Sequence, residues 1–137
     1  MRVSEADVAG LPPGNVRVPR DEFAAVWRAA SARDASQADD WYAGAVALTC
    51  RWLATAPARL PNGAAGLVRS PATRRTGVAY EELIEAEYLA ALVLERRRPR
   101  LARSRPGWCQ GVRDTLRWAW RREGPPPFEV LVDEPAR

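Results

Sequence analysis

The stretch from Trp41 to Ala54 constrains the fold most, because it is apolar on every side when its residues are placed on a helix. A helix of this kind is either the buried centre of a protein or a membrane span. A span needs about 20 apolar residues, and this stretch is shorter and carries Arg51. We therefore predict an all-α fold, a small bundle of about four helices around a central apolar helix at 41–56, with no membrane span.

Arg51 is the one charged residue in this stretch, and it has two interpretations. In the simpler one, which the sequence favours, its aliphatic stem lies on the bundle and its guanidinium group reaches water. In the other, the guanidinium group is buried and paired with a carboxylate such as Glu85 or Glu87. Only the second interpretation gives Arg51 a part in holding the fold together.

Apolar residues also repeat at helical spacing outside this stretch. They predict helices over 21–34, 78–97 and 104–123. Ser36 resembles the N-cap of the central helix, and the turn-rich connection over 57–69 is long enough to be either functional or mobile.

The two ends of the chain differ from this helical middle. We predict an extended arm over 1–19, where prolines recur without a helical period, then a helical domain over 20–123 and a Pro-rich, acidic tail over 124–137. The tail sequence FEVLV alternates imperfectly. It leaves open a minor β-ribbon with Val16–Val18, which would be marginal unless it packs on something.

The charges are strongly segregated along the chain. All 21 basic residues are Arg, and Lys and His are both absent. The formal charge is −2 over 1–95, +9 over 96–122 and −3 over 123–137, which sums to the net +4. Segregation of this kind concerns partners more than fold. The Arg-rich and Ala-rich composition is also typical of a high-GC bacterial genome, which weakens Arg abundance as evidence for phosphate binding.

The basic segment supplies the candidate partner-binding residues. Arginine binds phosphate and carboxylate groups bidentately, and Trp and Arg are enriched at the energetic centres of interfaces. Trp118 lies off the apolar stripe of the last helix, so we expect it to be an exposed anchor. The candidate residues are Arg96, Arg97, Arg98, Arg100, Arg113, Arg117, Trp118 and Arg121.

Catalysis and metal binding have little support in the sequence. The absence of His and Lys removes the commonest general bases and the Schiff-base amine, and Cys50 and Cys109 are too far apart for a recognised zinc pattern. We expect no catalytic residues, no metal and no cofactor. Paired acids such as Glu81 and Glu85 leave a small carboxylate-based enzyme as a third alternative. Free thiols and the lack of a signal sequence favour the cytoplasm.

These observations favour a non-enzymatic binding or adaptor protein whose partner is a protein, including a second copy of this chain. Nucleic-acid binding without a sequence-specific motif is the alternative. A solvated basic face, balanced by the chain's own acids, would explain the same segment without any partner. No motif is specific enough to indicate a family.

Overall fold

The computed structural model describes residues 1–59 and 62–130, which are mostly helical with one small antiparallel sheet. The helical expectation is therefore confirmed in its coarse form, and the all-α class misses the sheet. The helices and strands, in chain order, are α1 Glu5–Ala9, α2 Arg20–Ser36, α3 Trp41–Leu53, β1 Pro57–Arg59, β2 Ala65–Leu67, α4 Glu81–Ala91, α5 Leu94–Arg97, α6 Pro99–Ser104 and α7 Trp108–Ala119.

Helix α3 packs against α2 and against α7. Its apolar residues are fully buried at Ala45, Val46 and Cys50. The approach to α7 is close, because a Cβ atom at Gly111 would lie 2.8 Å from the backbone oxygen of Tyr42. The apolar surface that makes α3 unusual in sequence is thus covered by helices from both sides.

The start of α3 differs from the prediction. Ser36 is the last residue of α2, and its hydroxyl donates to the carbonyl of Arg33. The N-cap of α3 is Asp40, whose carboxylate accepts from the backbone N–H of Ala43 at 3.0 Å. Both Ser and Asp are good capping residues, so the longer extent of α2 decides between them.

The connection over 57–69 contains a β-hairpin. Strands β1 and β2 pair antiparallel, with Pro57 opposite Leu67 and Arg59 opposite Ala65. Gly63 has a φ of 84° in the turn region, a conformation that favours glycine. Each strand has only three residues, which is too few to give a visible two-residue period.

The predicted N-terminal arm is wrong as a description of residues 1–19. This segment contains α1, and its apolar side chains are buried against the helices, where they are removed from water. Asn15 fixes it through its side-chain amide, which donates to the carbonyl oxygens of Leu53 at 2.8 Å and Ala79 at 3.1 Å. The buried apolar residues of the segment are Val3, Leu11, Val16 and Val18.

The predicted β-ribbon is absent from the part of the chain that the structure describes. Neither Val16–Val18 nor 124–130 is a strand. The backbone N–H of Arg17 instead donates to the carbonyl of Ala119, at 2.7 Å. The last two residues of FEVLV, at 131–132, lie outside the described residues.

Arg51 is buried, which contradicts the interpretation that its guanidinium group reaches water. Its side chain is 6% exposed and lies 3.5 Å from the carboxylate of Asp7. It also donates to the carbonyls of Pro57, at 2.8 Å, and Arg2, at 3.2 Å. The alternative of a buried, paired arginine is therefore correct, but its partner is Asp7 and not Glu85 or Glu87. A sequence pattern could not find Asp7, because the pair joins α3 to a segment without a helical period.

Candidate partner-binding surface

Eight of the ten arginines of the +9 segment fall into two groups in the structure. The first group lies on α5, on α6 and at their junction, and all of its side chains are exposed. None of them lies within salt-bridge distance of a carboxylate among residues 1–59 and 62–130. We call this group the arginine ridge, and it consists of Arg96, Arg97, Arg98, Arg100 and Arg103.

The second group lies on α7 and just after its end, and it is largely neutralised by the chain's own acids. Arg113 pairs with Glu95 at 2.7 Å, and Arg121 pairs with Glu85 at 2.8 Å. Arg117 is half-buried and has no carboxylate partner within the described ranges. The row that the sequence predicts as one basic face is therefore mostly occupied by intramolecular ion pairs.

Arg121 and its surroundings show how α7 is tied to α4. The guanidinium group of Arg121 also lies over the ring of Tyr88, 4.7 Å from its centroid. The indole N–H of Trp120 donates to the same Glu85 carboxylate, at 3.3 Å. Contacts of this kind hold two helices together, and using Arg121 for a partner would first require breaking them.

Trp118 is buried, so the expectation of an exposed anchor is wrong. It is 5% exposed, and its ring stacks on Phe23 of α2, with centroids 6.2 Å apart and planes 8° apart. The apolar stripe of α7 predicted from sequence was too narrow. Because α7 packs on α3, α4 and α2, more than one of its faces is covered.

Two exposed leucines precede the arginine ridge in the chain. Leu89, on α4, is 52% exposed, and Leu92, at the end of α4, is 42% exposed. The helix period placed both of them on a widened apolar side, but the helix turns part of that side to the solvent. The sequence predicted Trp118 as the exposed apolar residue beside the arginines, and Leu89 and Leu92 are the exposed apolar residues that sequence reasoning missed.

A second concentration of positive charge comes from the loop before α4. Arg74 lies in this loop, and burial, followed by the charges of Arg69, Arg105 and Arg98, lowers its pKa. The loop thus brings Arg74 to the +9 segment from more than 20 positions earlier in the chain, with Arg69 close to Arg74. Nothing in the local sequence signals this approach, because it depends on how the loop folds over α6 and α7.

The carboxylates that could have formed an acid pair have separate partners. Glu81 lies 3.9 Å from Arg17, and Glu85 binds Arg121. Glu87 is fully buried and accepts from the backbone N–H groups of Ala72, at 2.8 Å, and Thr73, at 3.0 Å. Across the described residues, no group of three or more Cys, Asp and Glu side chains is placed to hold a metal ion.

Cys50 and Cys109 are free and buried, as the sequence predicted. Burial raises the pKa of both thiols, which keeps them protonated and unreactive. None of the helices in the described part of the chain has the length and apolar character needed to cross a bilayer.

Comparison with protein-family models, with curated proteins and with solved structures finds no match to this chain.

Proposed function

We propose that this protein is a non-enzymatic binding protein, located in the cytoplasm, that engages an acidic protein partner through the arginine ridge and the two leucines before it. The observation that carries the proposal is the contrast between the two groups of arginines. Arg113 on α7 and Arg121 just after it are paired with Glu95 and Glu85, whereas the ridge has no carboxylate within salt-bridge distance in the described chain. The ridge is therefore the part of the positive field that is left for another molecule.

The exposed leucines favour a protein as the partner. Protein interfaces place apolar side chains in a dry centre and charged side chains in a polar rim. Leu89 and Leu92 supply apolar surface directly before Arg96 and Arg97 in the chain. Arginine suits such a rim, since its planar fork binds carboxylates bidentately and is more weakly hydrated than an ammonium group.

Nucleic-acid binding is the second candidate, and the approach of Arg74 to the +9 segment favours it. Arginines from two parts of the chain widen the positive surface beyond one helix, and a phosphate backbone binds to a wide basic surface. This candidate requires no contribution from the leucines. The two candidates therefore differ in whether apolar side chains contribute to affinity.

The test compares variants in the recovery of partners from native cells, with proteins identified by mass spectrometry. In the first variant Arg96 and Arg97 are both replaced by Glu, and in the second Leu89 and Leu92 are both replaced by Ser. A control variant with Arg59→Glu and Arg122→Glu changes the net charge by the same amount as the first variant. These two arginines suit a control because both are exposed and lie outside the ridge. Self-association is checked on the same proteins by analytical ultracentrifugation.

The proposal expects one protein to be recovered by the wild-type chain and by the control, and to be lost with both test variants. Recovery that is equal for all four proteins contradicts it. Binding of DNA or RNA that weakens steeply with salt and is unaffected by the leucine variant would establish the second candidate instead.

A further inference from the structure

A cleft lies where the loop before α4 meets α6 and the start of α7. Its volume is about 330 Å³, which is at the small end of the range for sites that hold small molecules. No carboxylate lines the cleft. Its lining combines four arginines and one serine with apolar residues, and consists of Pro71, Ala72, Arg74, Arg98, Arg100, Leu101, Ser104, Arg105 and Trp108.

The loop that carries Arg74 is fixed by hydrogen bonds to Glu87 of α4. The buried Glu87 carboxylate accepts from two backbone N–H groups of the loop and from the hydroxyl of Thr73. These bonds use three donors, none of which belongs to a guanidinium group. Glu87 therefore fixes the shape of the loop, and the N–H donors of the cleft arginines remain free to bind another acceptor.

Ser70 closes the same loop and sets the position of Arg74. Its hydroxyl accepts from the backbone N–H of Arg75 at 2.8 Å, and its carbonyl accepts from the N–H of Arg74 at 3.1 Å. Arg74 has a φ of 62°, a left-handed conformation that costs a residue other than glycine about 1 kcal/mol or more. Asn would adopt this conformation more easily, so local backbone preference does not explain an arginine here.

Arg105 enters the cleft from the opposite side and is oriented by two aromatic rings. Its guanidinium carbon lies 5.1 Å from the ring centroid of Trp41 and 5.3 Å from that of Trp108. Contacts with both rings restrict the rotamers of a long side chain, and a restricted side chain loses less entropy when a ligand binds. The guanidinium group of Arg105 is thus oriented, and the backbone of Arg74 is fixed, before any ligand arrives.

The charges in the cleft repel one another. Arg74 has its pKa lowered first by burial and then by the neighbouring arginines. None of the four cleft arginines has a carboxylate within salt-bridge distance among the residues described, in contrast to Arg113 and Arg121. An anion with several acceptor oxygens would remove this repulsion and accept from more than one guanidinium fork.

We propose that this cleft is a binding site for a phosphate group carried on a small molecule, with Arg74 and Arg105 as its principal ligands. A phosphate group offers three terminal oxygens and up to two negative charges, which suits convergent guanidinium forks better than a single carboxylate. The apolar lining from Pro71, Leu101 and Trp108 leaves room for a short carbon substituent beside the phosphate. The cleft shares Arg98 and Arg100 with the arginine ridge. The inference does not rest on the proposed partner surface, since its principal ligands Arg74 and Arg105 belong to neither the ridge nor the leucines.

The experiment measures binding of inorganic pyrophosphate by isothermal titration calorimetry, with sodium chloride at equal ionic strength as the reference. The test variant is Arg74→Asn, because Asn tolerates the left-handed backbone and removes only the guanidinium group. The matched control is Arg122→Asn, since Arg122 is also an exposed arginine with a positive φ, of 54°, and does not line the cleft.

We expect the wild-type chain and Arg122→Asn to bind pyrophosphate alike, and Arg74→Asn to bind at least about tenfold more weakly, as the loss of one charge-assisted hydrogen bond requires. Circular dichroism checks that each variant is folded, and Arg105→Gln, which lies outside the ridge, replaces Arg74→Asn as the test if the loop fails to form. No heat of binding beyond that of chloride, or an equal loss of affinity in the Arg122 control, would overturn the proposal. Loss of pyrophosphate binding in Arg74→Asn with unchanged partner recovery would show that the two sites are independent.

Discussion

Replacing Arg51 by Met tests whether the buried ion pair stabilises the fold. Methionine has a similar length and keeps the apolar stem of Arg51 in α3, so packing changes little. The guanidinium group that it removes lies 5.2 Å from the ring centroid of Trp27, as well as 3.5 Å from the Asp7 carboxylate. Two backbone carbonyls, those of Pro57 and Arg2, lose their donor at the same time.

The expected loss is about 3 kcal/mol in the free energy of unfolding. Removing one partner of a buried ion pair typically costs about 3 to 5 kcal/mol, because the other charge stays buried without compensation. Asp7 keeps part of its compensation, since its carboxylate also accepts from the backbone N–H of Ser4 at 3.0 Å and its side chain is 14% exposed. The value should therefore fall at the low end of this range.

Urea unfolding followed by circular dichroism measures the loss, and a double-mutant cycle with Asp7→Asn isolates the pair. Asparagine can keep the bond to Ser4, so Asp7→Asn alone should cost less than Arg51→Met. The double variant should then cost less than the sum of the two single losses, by about 1 kcal/mol. A loss below about 1 kcal/mol for Arg51→Met would refute the reasoning, because surface substitutions have effects of that size and smaller.

Two further predictions concern helix packing and capping. Gly111→Ala should lower the midpoint of thermal unfolding, because the added Cβ atom would lie 2.8 Å from the Tyr42 carbonyl oxygen. Overpacking costs about 1 to 3 kcal/mol, which outweighs a gain of about 1 kcal/mol in helix propensity. A raised midpoint in a thermal scan would contradict this prediction. Asp40→Ala should cost about 1 kcal/mol at neutral pH, since the N–H of Ala43, and then Arg33, lower the pKa of the Asp40 carboxyl. Because that pKa is lowered on folding, the contribution is present above the ordinary Asp value and is lost as the pH falls through the folded value. Urea unfolding curves of the wild-type chain and of Asp40→Ala should differ at neutral pH and converge at strongly acidic pH. A difference in stability that is the same at both pH values would contradict the role of the carboxylate.

The helices that the sequence predicted well are those whose apolar residues repeat with a helical period. Helices α2 and α3 were found close to their observed ranges, because a buried stripe on a helix leaves a periodic trace in the local sequence. The helix predicted over 78–97 begins later and bends between α4 and α5, since Val93 leaves the helical conformation. The period was present there, but it does not report where a helix stops.

The candidate site was predicted in part. The exposed arginines of the ridge were found from charge alone, because a run of like charges cannot be buried. The roles of Arg113 and Arg121 were missed, since the acids that pair with them lie 18 and 36 positions earlier in the chain. Trp118 was misjudged for a related reason, because Phe23 approaches it from another helix.

The sequence by itself determined the helical character of this chain, the burial of its apolar stretch and the segregation of its charge, since each of these follows from the order of neighbouring residues. Only the tertiary structure decided that Asp7 is the partner of Arg51, and that the loop of Arg74 meets Arg105. Those contacts join positions more than 30 residues apart. They depend on how the helices and loops pack together, and no local pattern records that arrangement.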